Sequence, residues 1–175
     1  GIPVLITDIG PVSAAIALTR HLAISSVDRI VVCGVGGAYP GSDLAIGDVV
    51  SAATETFGDL GAESPEGFLD IEALGLDTPS TFDLDLFPTG RRVSFVTCST
   101  TTGTDERAMA LRARTGGSVE SMEGAALVQA ARSFKVPVGE IRGISNPVGN
   151  RDRSAWRIKE AATAAQEALL AWLCD

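Results

Sequence analysis

Apolar residues recur along the chain in short β-branched runs. Between these runs, small and apolar residues return every three or four positions, and the alternation predicts strands interleaved with helices. Ile2 to Thr7 predicts a short strand, and Asp8-Ile9-Gly10-Pro11 a turn feeding an Ala-rich helix to about Leu22, with Pro at its first position. Asp28 to Val35 predicts a second strand, continuously β-branched as one buried on both faces should be, ending in Gly34-Val35-Gly36-Gly37. Gly47-Asp48-Val49-Val50 opens a strand running to about Thr56. The polar stretch from Phe57 to Pro88, rich in Gly, Pro and Asp, predicts an irregular loop acting as a lid or subunit contact, with a disordered excursion as the alternative. Val93 to Cys98 predicts a strand and Asp105 to Arg114 a helix that Thr104 can cap. Further on, small and apolar residues from Leu127 to Phe134 predict a helix, and Val136 to Ile144 a strand entered through Pro137. An amphipathic helix from about Ser154 to Leu173 follows. The order is that of a three-layer α/β/α sandwich with a central mixed sheet, read as a single domain over residues 1–175.

In such a sheet, strand ends and helix starts meet along one edge, where backbone groups are free and side chains converge on small polar ligands. Two stretches fall there: Glu120-Ser121-Met122-Glu123-Gly124-Ala125-Ala126 at a helix start, and Arg142-Gly143-Ile144-Ser145-Asn146 at a strand end. The Gly34 to Gly37 turn allows a ligand close to the backbone or serves only a tight turn. It is a poor dinucleotide fingerprint, because Tyr39 stands where the third glycine of GxGxxG would be. The amides of the Gly10-Pro11 turn face a ribose or an anion, or belong to a plain strand-to-helix turn. Hydroxyls crowd at Ser99 to Thr104, where they can reach a ligand.

Composition narrows the chemistry. A net charge of −8 with scattered basic residues argues against a nucleic-acid surface. No apolar run approaches the eighteen or so residues that cross a bilayer, so the chain is read as cytoplasmic and without a membrane partner. Cys33, Cys98 and Cys174 are odd in number and widely spaced; neither a disulfide framework nor a metal site is expected, and buried thiols are. His21 is the single histidine and falls near the end of its helix remote from the site edge. Acid, base and electrostatic roles therefore pass to carboxylates, amides and backbone donors.

Gly36-Gly37 with Gly47-Asp48-Val49-Val50, then Ser121 to Ala126, Val136-Pro137-Val138 and Arg142 to Asn146, resemble in order and spacing the purine nucleoside phosphorylase and nucleosidase superfamily. Asp59 to Phe68 and Ser145-Asn146-Pro147-Val148-Gly149-Asn150-Arg151-Asp152-Arg153, with Trp156 beyond, are similar to the futalosine hydrolases, nucleosidases of the futalosine route to menaquinone. The resemblance implies hydrolysis of an N-ribosidic bond without metal or organic cofactor. It implies that Glu123 grips the ribose hydroxyls and that Met122 packs against the sugar. Val35, Gly36 and Gly37 would line the pocket, and Thr101 and Thr102 the base wall. Asn146 stands where the methylthioadenosine nucleosidases carry an aspartate, and an amide suits a 6-oxopurine better than adenine. Ser145 and Arg142 would orient Asn146 and the helix carboxylate, or be ordinary strand residues. Arg151-Asp152-Arg153 would meet a carboxylate of the substrate or form a surface ion-pair loop. Without functional roles, Glu123 would be a solvated carboxylate at a helix start, Met122 core and Asn146 a turn residue.

The resemblance also implies an early strand and loop bearing a water-activating acid, and this chain is expected to start after them. No residue matches that acid; Glu123, Asp59 and Glu63 are the candidates left for handling water. A phosphorylase, a non-catalytic nucleoside-binding module and a nicotinamide-dependent oxidoreductase are the competing readings. The apolar faces and the long central loop suggest a homo-oligomer, which the resemblance also implies.

Overall fold

The computed structural model describes residues 2–174. Four helices and eight strands follow one another as α1 (Pro11–Leu22), β1 (Ile30–Ala38), β2 (Val49–Phe57), β3 (Gly61–Ser64), β4 (Gly67–Asp70), β5 (Thr81–Asp83), β6 (Arg92–Thr97), α2 (Asp105–Thr115), β7 (Val119–Ser121), α3 (Gly124–Ser133), β8 (Val138–Pro147) and α4 (Ile158–Cys174), with a 3-10 turn at Arg153–Ala155. Strands β5-β2-β6-β7-β1-β8 form one sheet, and β2 pairs also with β8, so β2, β6, β7, β1 and β8 close on themselves. Pairing is parallel for β1–β8, β2–β6 and β6–β7 and antiparallel for β1–β7, β2–β5 and β2–β8. The expected α/β layering around a mixed sheet is present, with the sheet curled.

Neighbouring residues of β6 divide the layers, since successive side chains point to opposite faces. Phe95 joins the main core with Val50, Val119, Val138 and Ile144, the α1 residues Ala14, Leu18 and Leu22, and the α3 residues Leu127, Val128 and Ala131. Val96 joins a second cluster with Tyr39, Cys98, Val148 and the α2 residues Ala108 and Leu111. The four-residue spacing of Ala14, Leu18 and Leu22 explains why α1 turns that stripe inward. Helix α4 presses on β8 so closely that a Cβ on Gly143 would run into the backbone of Ala161.

Two bulges reset which side chains face inward. In β2 the register against β6 shifts between Ala52 and Thr54, which brings Glu55 onto the buried face of Val50 and Ala52. In β8 it shifts between Ile144 and Asn146 opposite Gly36-Gly37, leaving Ser145 as the extra residue. Bulges of this kind re-aim side chains at sheet edges.

Several expectations change. Residues 2–8 form no strand, and Val4 and Ile6 are exposed; a β-rich run without a neighbouring ladder has nothing to pair its backbone. The stretch from Phe57 to Pro88 is more ordered than expected: β3 and β4 form a hairpin, and β5 pairs with β2 through Thr54 to Thr56. Cys33 and Cys174 are exposed and Cys98 alone is buried. Cys33 lies where β1, among the described residues, is paired on one side only, because β7 reaches no further than Gly37 and Ala38. Gly1 and Asp175, the ends of the expected domain, lie outside the described residues.

Candidate active site

Strand β1 is the floor of the site. Its Gly34 lies in register with Arg142 and its Gly37 with Asn146 on β8, while Gly37 faces Glu120 of β7 on the other side. Three residues at ~3.3 Å per residue separate the two ends by ~10 Å, a span a nucleoside can bridge. Glu123 stands at the Gly34 end and Asn146 at the Gly37 end. Chain reversal after β7 and the bulge in β8 put them there.

Glu123 is the residue before α3, with φ −130° and ψ −29°, and its side chain makes no capping bond to its own helix. Its carboxylate turns toward the loop before α1, where the Gly10 amide donates to Oε1 at 3.0 Å. Arg142 Nη2 lies 3.7 Å from the other oxygen. The helix start, the amide and the guanidinium all turn positive charge toward this carboxylate. The Gly10 turn thus offers its amide to a carboxylate of the protein, and among the described residues no strand precedes it. Gly10 has φ +91°, a conformation in which a side chain would be strained.

Arg142 lies flat across β1, donating from Nη1 to the Val35 carbonyl at 2.7 Å and from Nε to Glu140 Oε1 at 2.5 Å. Gly34 and Gly36 make that path possible, since a Cβ would meet Arg142 at 2.9 Å from Gly34 and at 3.3 Å from Gly36. Burial disfavours the guanidinium charge, but Glu140, Glu123 and Glu55 outweigh it and raise its pKa. Val35 is half-buried, whereas Gly36 and Gly37 are buried; a Cβ on Gly37 would meet Val148 and the Asn146 amide. These glycines therefore serve close packing of protein side chains, beyond any approach to a ligand.

Ser145 Oγ lies 2.8 Å from Asn146 Oδ1 and 3.2 Å from the Gly36 carbonyl, with its one proton available to either acceptor. Asn146 Nδ2 donates to the Pro147 carbonyl at 2.9 Å. The amide keeps a second N–H and further acceptor capacity free. Beside it, a cavity of about 440 Å³ runs along Tyr39 to Leu44 and ends at Asn146 and Pro147.

The hydroxyl-rich loop divides in two. Thr102 is buried, its amide donating to Glu120 Oε1 at 2.8 Å and its hydroxyl to Glu120 Oε2 at 2.6 Å, where Tyr39 also donates at 2.7 Å. Both Thr102 groups are thus committed to protein. Burial and then the Glu120 charge push the Tyr39 phenol up. Thr101 is exposed and accepts from Arg151 Nη1 at 3.2 Å. Met122 is half-buried beside Glu123.

Among the described residues, Arg151, Asp152 and Arg153 form no ion pair with one another. Asp152 caps the 3-10 turn through Ser154, and both arginines lie over the Trp156 ring. The expected ion-pair loop is an aromatic-stacked one. Asp59 accepts from the Ser99 amide at 2.7 Å, and Glu63 is exposed on the β3 hairpin. His21 lies in the last turn of α1, at the end away from Gly10, which reaches Glu123.

Sequence reasoning missed the buried acids Glu55 and Glu140, both fully inaccessible, and the anchor Glu120. The signal was present for the first two, since a carboxylate within a β-branched run departs from a buried strand's composition. Among the described residues, no group of three or more His, Cys, Asp or Glu is placed to hold a metal ion, and no helix is long and apolar enough to cross a membrane.

Residues 2–174 match the model of the phosphorylase superfamily. A futalosine hydrolase of Streptomyces coelicolor is 39% identical over 97% of this chain and 77% of its own length. One from Thermus thermophilus is 36% identical over 100% of this chain and 82% of its own length. In fold, the chain is similar to the futalosine hydrolase of Helicobacter pylori, with a TM-score of 0.82 at 18% identity over 96% of this chain and 77% of that one. It is also similar to the 5′-methylthioadenosine/S-adenosylhomocysteine nucleosidase of Streptococcus pneumoniae with a transition-state inhibitor, at a TM-score of 0.81 and 24% identity over 95% of this chain and 78% of that one.

Proposed function

The chain belongs to the phosphorylase superfamily and, within it, to the futalosine hydrolases, and we propose that it hydrolyses the N-ribosidic bond of futalosine, releasing hypoxanthine and dehypoxanthine futalosine on the route to menaquinone. The observation that carries this reading is the pairing of Glu123 with Asn146 at the two ends of Gly34 to Gly37, in a chain 39% identical to a futalosine hydrolase.

Breaking the bond from C1′ to N9 leaves positive charge on the ribosyl group and negative charge on the purine, so a site complementary to that state needs an anion by the sugar and donors by the base. Glu123 supplies the anion: it accepts the ribose hydroxyls while its charge, held by Gly10 and Arg142, faces the oxocarbenium-like ribosyl. Met122 covers the sugar. Asn146 supplies the base contact, with its free N–H toward O6 or N7 and its carbonyl toward N1–H, and Ser145 holds its orientation. Val35 to Gly37 form the floor and Thr101 the base wall, while Thr102 fixes that wall through Glu120. Arg151 and Arg153, held at Trp156, are the cations this reading gives to a substrate carboxylate. Glu123, Asp59 and Glu63 remain the candidates for handling water.

Base identity tests the assignment: chromatography of parallel incubations with futalosine and methylthioadenosine should show hypoxanthine from the first and far less adenine from the second. Preferential adenine release would move the chain to the methylthioadenosine nucleosidases.

A further inference from the structure

Beneath the N-terminus of α3, two carboxylates that the reaction does not touch lie side by side. Glu55 comes from β2, through its bulge, and Glu140 from β8; both are fully buried, and a Cβ on Gly124 would collide with an oxygen of each. Their hydrogen bonds can be accounted for atom by atom. Thr97 Oγ1 accepts from the Ala125 amide at 2.8 Å, so its own proton goes to Glu55 Oε2 at 2.8 Å. Arg142 Nε donates to Glu140 Oε1 at 2.5 Å. The remaining oxygens, Glu55 Oε1 and Glu140 Oε2, are buried and have no other partner. They are the two that crowd Gly124.

Two buried acceptors cannot face one another without a donor, and two ionised carboxylates cannot do so without cancelling much of the field of one guanidinium. We propose that Glu55 and Glu140 hold one proton between them, carried on Glu55 Oε1 and donated to Glu140 Oε2, and that this acid pair is a positioning device that fixes Arg142 against Glu123. Glu140 then keeps its charge opposite Arg142, and Arg142 in turn holds the Glu123 carboxylate beside the sugar. The groups facing the pair are Arg142 on β8, Thr97 on β6 and Glu123 with the start of α3. Burial and the neighbouring Glu140 raise the Glu55 pKa well above the usual carboxylate range, against the opposing pull of Arg142 and Thr97.

The role assigned to the pair rests on the proposed function, but its proton does not, and infrared spectroscopy reads the proton directly. At neutral pH the intact protein should show the C=O stretch of a protonated carboxylic acid, shifted in heavy water and absent from Glu55→Gln. No such band in the intact protein would overturn the proposal, whatever the activity. With futalosine as substrate, Glu140→Gln should lower kcat/KM about tenfold more than Glu55→Gln, because only the first removes the anion facing Arg142. Equal losses in two variants with unchanged melting temperatures would overturn the positioning role. An intact band in a protein that turns over no futalosine would retain the shared proton while removing the proposed function.

Discussion

Arg142 Nη2 stands 3.7 Å from Glu123 Oε2, at the centre of a polar chain running from the Gly10 amide through Glu123 and Arg142 to Glu140, which the proposed shared proton extends through Glu55 to Thr97 and the Ala125 amide. Elements far apart in sequence meet in it: the turn before α1, strands β8, β2 and β6, and the first turn of α3. Glu123 is thereby set by the fold rather than by solvent.

Replacing Glu123 by Gln should lower kcat on futalosine by on the order of 10²–10³, because the charge proposed to face the ribosyl cation is lost. The fold should persist, since the side chain does not cap its own helix. Steady-state kinetics beside a thermal melt separates the two effects.

Asn146→Asp removes the N–H proposed to reach O6 or N7 while preserving size. The expected outcome is a drop of about 10²-fold or more in kcat/KM for futalosine, with relatively less loss on adenine nucleosides. Parallel rate measurements on both substrate classes check it.

Arg142→Met removes the cation from a buried site and leaves Glu140 without its ion-pair partner. The variant should lose about 3–5 kcal/mol of stability, read from denaturant unfolding.

Gly143→Ala should be destabilising by about 1–3 kcal/mol, because the new methyl runs into the Ala161 backbone and pushes α4 off β8. Urea unfolding of the variant gives the number.

The raised Glu55 pKa sets a pH dependence. As pH rises through the ordinary carboxylate range, the unfolded chain releases this proton first. Stability from this group is therefore complete below that range and falls as pH rises toward the folded-state value. Glu55→Gln should flatten the slope and melt at least as high as the intact protein at neutral pH. A melting temperature series across pH for both proteins tests it.

Much of the architecture was legible in the chain. The strands expected at Asp28 to Val35 and Val93 to Cys98 form as Ile30–Ala38 and Arg92–Thr97, and Pro11 starts and Thr104 caps the expected helices. Strand β1, however, runs on through Gly34 to Gly37 in place of the expected turn, because β8 pairs with it as far as Ala38. Glu123 and Asn146 were visible as polar residues at a helix start and a strand end. What was not legible is nonlocal. The bulges at Ala53 and Ser145 depend on the facing strand, so no single-strand period reveals that Glu55 turns inward or that Asn146 is re-aimed. Gly34 and Gly36 suggest room for a ligand in sequence, yet the room at Gly34 is taken by Arg142 and that at Gly36 by Val119 with Arg142 behind it, all far away in the chain. The strand expected at Ile2 to Thr7 has the right composition and no neighbouring ladder to complete it.

The most direct measurement is free hypoxanthine released from futalosine in matched buffers with and without phosphate. Equal release in both is the predicted result, with water as the nucleophile. Release only with phosphate, or futalosine bound but never cleaved, would contradict the account.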